Sequence, residues 1–564
     1  MTTTTSRTQR LGWGLSPRGG YAVCKVPGRD CLALELRRPF STAPRQRLRT
    51  PDLELDSATL LDEAGAVTVV TRDSEFLHLR SWNQDGSSHR WPGRVPATAS
   101  VVPGPNGTAY AVETVDGHSR ITRLTPRGAV SFGRLSLEVL DVRHLDATTL
   151  ACNVVDARGH SRAVRYDTTT NVTTDFVNTS DLADDRVVAV RGDRVVVSTT
   201  ASGEPRLGWG SLRTNRLRFP AAGAADRAMR LLAVSADGRT ALAAEDRGLT
   251  VRLRRINLDT DTAVDLAPVL GQPAGSGRFH GEAVRFPLAD LAHGATMVEL
   301  TADGTFRHDD APLANAPTAR IATIDGPAGP IESLVLGDVA RAARVVVALH
   351  GGPAAAWRPV HNPLFSDLVA DGTAVVAPNI RGSIGYGRDH ADAIRGRWGG
   401  PDGDDVLAIG RWVRGQRSAE APPPSVFGES YGAFLAVHSA ATAPQGTWAG
   451  CIAAATFTSG RRVHDLGTPV SGMVRRLGGM AAPDLLDLAA DINVPVLLLH
   501  GEHDEVVPIS ESLALTVAMA TAGGTVRLVR DPAGGHDVFC GPAAIDHRRR
   551  VCEAVREHQT REGR

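Results

Sequence analysis

The feature that most limits what this chain can fold into is a phrase that recurs along its first half. An apolar run, a turn and a second alternating run appear around Gly28, Glu75, Gly117, Gly159, Gly203, Gly248 and Gly304. The steps between them are 47, 42, 42, 44, 45 and 56 residues. Each phrase reads as a β-hairpin: glycine accepts the positive φ of a tight turn, and the flanks alternate with period two. A hairpin every 42–47 residues leaves room for about four strands per unit, the spacing of propeller blades. Seven phrases predict a seven-bladed β-propeller over roughly residues 10–318, and the wide last step suggests an insertion between Asp259 and His293. The alternative is a pair of β-sandwiches with accidental spacing. Either would be a scaffold without chemistry of its own.

Beyond about residue 320 the pattern changes. Short apolar runs suited to buried parallel strands occupy Arg344 to Leu349, Thr373 to Ala377, Ser425 to Phe427, Trp448 to Ala455, Val494 to Leu499 and Thr525 to Val529. Helical spacing appears between them, at Asp404 to Val413 and Tyr431 to Ala441, and again at Ala543 to His558. This alternation predicts a mostly parallel sheet with helices on both faces. The expected domains are 1–318, with a frayed tail over 1–10, and 319–564. Asp309 to Thr318 and Asp325 to Pro330, rich in Pro, Ala and Gly, read as linkers.

Composition removes several function classes. The 564 residues are 42% hydrophobic and 22% charged, which excludes a disordered chain. Basic and acidic residues balance at 62 each, so no basic excess argues for a nucleic-acid partner. Lys25 is the single lysine, so no lysine can serve as a base in the second half. No run of 18 apolar residues predicts a membrane span. Met1 to Gly20 lacks the apolar core of a secretory signal. The six cysteines form no CxxC pair, so zinc is not expected, and reduced thiols in a cytoplasmic protein are.

Four motifs carry chemistry, each after a predicted strand. Gly428-Glu429-Ser430-Tyr431-Gly432 is a GxSxG sequence between strand and helix, the setting of a nucleophile elbow. A serine that merely caps the helix is the bland alternative. His350-Gly351-Gly352-Pro353 supplies a glycine pair whose backbone N–H groups can face an oxyanion, with Gly352 and Tyr431 as the expected donors. His500-Gly501-Glu502-His503-Asp504 offers the acid; Asp504 is preferred over Glu502 and Glu505. Ala533-Gly534-Gly535-His536 offers the base in a pliable loop. The order Ser430, Asp504, His536 is that of an α/β-hydrolase triad. Trp357 and Tyr431 are weaker candidates for lining a substrate pocket, with core packing as the alternative. Arg381 is expected to pair with Asp402 or Asp405.

These residues resemble the prolyl oligopeptidase family of serine peptidases, within it the acylaminoacyl-peptidase-like branch. The resemblance runs from Val345 to Phe539, through HGGP at 350–353, GESYG at 428–432, HGEHD at 500–504 and GGH at 534–536. It implies a propeller gating access to a C-terminal hydrolase, hydrolysis of short peptides through an acyl-enzyme, and no metal or organic cofactor. The chain departs from the family at Ala433, where a second glycine is usual and the extra methyl is expected to crowd helix against sheet. It departs again at Asp537, whose charge could raise the pKa of His536 or reach the substrate. The stretch Thr456 to Asp491 is short for the family. The expected partner is a short peptide or small acyl substrate, with no nucleic acid and no membrane; a homo-oligomer is compatible with this reading. The alternatives are an esterase, amidase or acyl-transferring enzyme acting on a small natural product, and an inert binding protein.

Overall fold

The computed structural model describes residues 75–82 and 88–560 apart from short gaps, and, before them, six strand segments and Phe40. The chain divides into two compact units. One comprises Met1–Asp246 and Val251–Pro312, the other Leu313–Arg564 with Arg247–Thr250.

The N-terminal unit is a β-propeller. Its described strands form seven antiparallel sheets of four or five strands that follow one another in chain order. In the sheets whose side chains are described, the inner strands are more buried than the outermost, for a simple reason. A strand flanked by neighbouring sheets is covered on both faces, and an outer strand is wetted. Thr149–Val155 and Thr240–Arg247, second in their sheets, are buried almost throughout, whereas the fourth strands Gly128–Leu135 and Thr262–Val269 are mostly exposed. The first sheet meets the last: Phe40, between its third and fourth strands, donates its N–H to Asp309 Oδ1 at 2.7 Å. The Arg285 and Arg307 guanidinium groups stand over the Phe40 ring at 5.3 and 5.5 Å.

The hairpin at Asp116-Gly117 joins Ala109–Val115 to His118–Thr125, with φ of +51° and +73° at the two turn residues. That is the two-residue turn whose twist suits paired strands. Gly248, with φ +62°, sits in the equivalent turn between Thr240–Arg247 and Thr250–Asn257. Gly28, Gly159 and Gly203, and the tail 1–10, lie outside the described residues.

The 56-residue step has a different origin from the expected insertion. Gly304 turns the hairpin between the third and fourth strands of the last sheet, Gly294–Leu300 and Phe306–His308. The turn equivalent to the earlier ones is at 291–293, between Ala283–Asp290 and Gly294–Leu300. Counted from there, the last repeat has the ordinary spacing. The segment before it holds a first strand broken into Gln272–Pro273 and Arg278–His280.

The second unit is an α/β-hydrolase built on one eight-stranded sheet. Its strands are β1 (Ala319–Gly326), β2 (Gly329–Leu336), β3 (Arg344–Leu349), β4 (Thr373–Asn379), β5 (Ser425–Glu429), β6 (Gly450–Ala454), β7 (Val496–Gly501) and β8 (Val526–Asp531). The spatial order is β1-β2-β4-β3-β5-β6-β7-β8. The β1–β2 and β2–β4 pairings are antiparallel and the rest are parallel. β4, β6 and β7 are buried along their whole length, as apolar runs covered on both faces must be. Residues 325–330, expected as a linker, are instead the turn of the β1–β2 hairpin, with Gly329 at φ +108°. Their Pro, Ala and Gly content serves a tight turn, not a flexible tether.

Two helices matter for the site: α1 (Tyr431–Thr442) directly after β5, and α2 (Ser510–Thr521) after β7. No helix among the described residues is long and apolar enough to cross a membrane.

Candidate active site

Ser430 sits where β5 ends and α1 begins, at φ +52° and ψ −113°. A non-glycine residue rarely adopts this conformation, and the surroundings enforce it. A Cβ on Gly428 would stand 2.0 Å from Gly432 O, and a Cβ on Gly432 would stand 2.4 Å from Leu349 O. Both glycines of the motif are therefore required by backbone packed against backbone. Ser430 N–H is tied to Ala454 O at 2.8 Å. Ser430 occupies the N-cap position, yet its side chain makes no capping bond. The hydroxyl instead faces a histidine, which excludes the simple capping role.

His536 Nε2 lies 3.1 Å from Ser430 Oγ, and His536 Nδ1 lies 2.8 Å from Asp504 Oδ2. The histidine loop is placed by docking on the end of β7. A Cβ on Gly501 would come within 2.4 Å of the Gly534 and Gly535 carbonyl oxygens, and His503 N–H donates to Gly534 O at 2.9 Å. Asp504 Oδ1 accepts the Val506 and Val507 N–H groups at 2.9 and 2.8 Å. Burial alone would raise the Asp504 pKa; hydrogen bonds from His500, His536 and Val507 N–H outweigh it and hold the carboxyl well below the usual range. Of the two other acids in the loop, Glu502 pairs with Arg530 at 2.8 Å, and Glu505 is exposed.

Gly351 lies beside Ser430: a Cβ built on it would be 3.6 Å from Ser430 Cβ. Gly352 has φ +128°, a conformation that favours glycine. His350 anchors this loop, with Nδ1 2.7 Å from Gly351 O and Nε2 2.7 Å from Ser383 Oγ. Burial pushes the His350 pKa down to about 4, so the ring is neutral near pH 7. Tyr431 opens α1, and a first-turn N–H has no intrahelical acceptor.

The Tyr431 side chain, expected to line a substrate pocket, is turned into the core. Its ring is buried, with Trp398 edge-on at 4.9 Å, and its hydroxyl donates to Asp402. Trp357 is likewise committed, with its indole N–H on Ala348 O at 2.7 Å and its ring 4.9 Å from Phe365. Core packing, the alternative for both, describes these contacts. Arg381 pairs with Asp405 at 3.0 Å and not with Asp402. The Ala433 methyl is fully buried within the core, so helix and sheet accommodate it. Asp537 caps its own turn, accepting from Phe539 N–H and the Cys540 thiol at 3.0 Å each.

Glu429 is the residue that motif reading passes over. Burial, then the nearby Asp537 charge, push its pKa up to about 7 against the opposing effect of His536. It is the variable position of GxSxG, so no pattern marks it.

Residues 365–558 match the prolyl oligopeptidase family. The peptidase YuxL of Bacillus subtilis is 30% identical over 209 residues, covering 34% of this chain and 31% of that protein. The mouse acylamino-acid-releasing enzyme is 27% identical over 220 residues, covering 34% and 28%. The chain thus spans about a third of the length of these relatives. Two solved structures share the fold over nearly the whole chain. A puromycin-hydrolyzing peptidase of Mycobacterium tuberculosis has a TM-score of 0.78 at 16% identity, covering 99% of this chain and 95% of its own. The acylaminoacyl peptidase of Pyrococcus horikoshii has a TM-score of 0.79 at 12% identity, covering 100% and 97%.

Proposed function

We propose that the chain is a serine hydrolase of the prolyl oligopeptidase type that cleaves short peptides, releasing acylaminoacyl, aminoacyl or dipeptidyl units. The observation that carries this is the unbroken relay from Ser430 Oγ through His536 to Asp504. Ser430 attacks the scissile carbonyl while His536 Nε2 takes its proton. Asp504 keeps the Nδ1 proton in place and stabilises the imidazolium. The N–H groups of Gly352 and Tyr431 receive the oxyanion. His536 then protonates the leaving amine, and water releases the acyl group by the same steps.

In this reading each of the seven N-terminal sheets is one propeller blade, the propeller excludes folded proteins, and the enzyme works in the cytoplasm. Cys152, Cys451, Cys540 and Cys552 are free thiols, which supports a reducing setting.

Hydrolysis of an aminoacylated natural product is the second reading, favoured by the fold shared with the puromycin-hydrolyzing peptidase. A fluorophosphonate probe is expected to label the native chain and not Ser430→Ala. Failure to label the native chain would refute the hydrolase reading. Turnover of acyl-amino-acid and aminoacyl anilides, set beside simple esters, puromycin and casein, then separates the substrate classes. Ester turnover without amide turnover would count against a peptidase.

A further inference from the structure

The last sheet of the N-terminal unit brings together three side chains that hydrolysis does not use. Asp290 ends the strand Ala283–Asp290, His293 lies in the turn after it, and His308 ends the strand Phe306–His308. Asp290 builds the turn: its Oδ1 accepts the His293 backbone N–H at 2.6 Å, and both its oxygens stand 3.1 Å from His293 Nδ1. His308 Nδ1 is 3.7 Å from Asp290 Oδ2, too far for a hydrogen bond. That nitrogen is buried and has no hydrogen-bond partner among the described residues. The two imidazole rings stack at 3.8 Å with 11° between their planes. One ligand atom from each of the three residues lies within 4.8 Å of the others.

A carboxylate therefore faces two imidazole nitrogens and satisfies only one. Buried nitrogens without a partner are uncommon, and each calls for a reason. A carboxylate with two imidazoles is a ligand set suited to zinc and its neighbours. Ligands about 2.1 Å from a tetrahedral ion stand roughly 3.4 Å apart, and the 3.1 and 3.7 Å separations bracket that value.

We propose that Asp290, His293 and His308 bind a divalent first-row transition-metal ion such as zinc, with water completing the coordination. Parallel rings cannot aim both lone pairs at one ion, so binding turns one of them about its Cβ–Cγ bond. His308 is the ring free to turn, since its Nδ1 gives up no hydrogen bond. To bind through Nδ1, His293 gives up the hydrogen it shares there with Asp290 and carries one on Nε2, so that the ring coordinates as neutral imidazole. The ion clasps two strands of the last sheet and takes no part in hydrolysis. Residues 290, 293 and 308 form no short motif, so nothing in the sequence marks them as a set.

The test uses the full chain, stripped with a chelator and titrated with Zn2+ by calorimetry and Co2+ by visible absorption. One equivalent is expected to bind and raise Tm. His293→Ala and His308→Ala should each weaken binding by at least about tenfold and abolish the rise, with fluorophosphonate labelling of Ser430 unchanged. Asp290→Asn, which keeps an acceptor for the turn, should weaken it likewise, and His308→Gln replaces any alanine variant that fails to fold. Absence of binding to the native chain, or equal binding by the native chain and the folded histidine variants, would overturn the proposal.

Discussion

Asp504 faces two histidines through the same oxygen: His536 Nδ1 lies 2.8 Å from Oδ2 and His500 Nε2 lies 3.2 Å from it. His500 Nε2 is also 2.8 Å from Val507 O, which can only accept, so that nitrogen carries the hydrogen. His500 Nδ1 lies 2.7 Å from Ser512 Oγ on α2. The ring is held between α2 and the loop of the triad acid, with Nε2 as its donor toward that loop. It holds the same carboxylate oxygen that the catalytic histidine meets.

His500→Phe keeps a ring of similar shape and removes the donor. A hydrogen bond to a charged group contributes about 1.5–3 kcal/mol, which corresponds to roughly ten- to a hundredfold in rate. The expected outcome is a fall of that size in kcat with little change in KM, measured on a variant whose Tm shows it folded. An unchanged kcat would mean that His500 only packs.

Asp504→Asn tests the orienting role directly. Losing the carboxylate permits the wrong imidazole tautomer, a change that costs about 10^4 in kcat where a triad operates. KM should change little, because Asp504 is buried and meets His536, not the reacting serine. A loss below about tenfold in steady-state turnover would show that another acid does the work.

The elbow makes a steric prediction. In Gly432→Ala the new methyl would meet Leu349 O at 2.4 Å and His350 O at 2.6 Å. Neither is a flexible side chain, so β3 or α1 must shift, at a cost of about 1–3 kcal/mol or more. Fluorophosphonate labelling should fall together with Tm. Ala433→Gly, which restores the family's usual residue, should lower stability by about 1 kcal/mol through helix propensity alone and leave labelling intact.

Much of the catalytic unit was legible because its signals are local. A strand such as Val345–Leu349 is covered on both faces and reads as one apolar run, and each motif follows the end of such a strand. The β1–β2 hairpin was not, because β1 is wetted and alternates as ARIATIDG around a turn rich in small residues. The propeller period was readable, but its phase slipped at Gly304, since a third-to-fourth-strand hairpin carries the same signature as a second-to-third one. Side-chain direction was the other gap. Nothing in GESYG says that the Tyr431 ring turns to Asp402, or that Glu429 comes near Asp537.

Glu429 makes the protein's stability depend on pH. Its folded pKa of about 7 lies above the value of about 4.5 for a free glutamate, because burial and the Asp537 charge disfavour the carboxylate. The folded state thus holds more protons than the unfolded state between those values, and stability falls as pH rises through that window. Above pH 8 the effect is on the order of 3 kcal/mol, and below about pH 4 it vanishes. Glu429→Gln removes the ionisation and keeps the shape. The variant should therefore melt higher than the native chain at pH 8, with the gap closing toward pH 5, as measured by thermal unfolding across that range. Asp537→Gly removes the neighbouring charge and should recover part of the same gain at pH 8. A Gln variant that tracks the native Tm at every pH would show that Glu429 ionises freely beside Ser430.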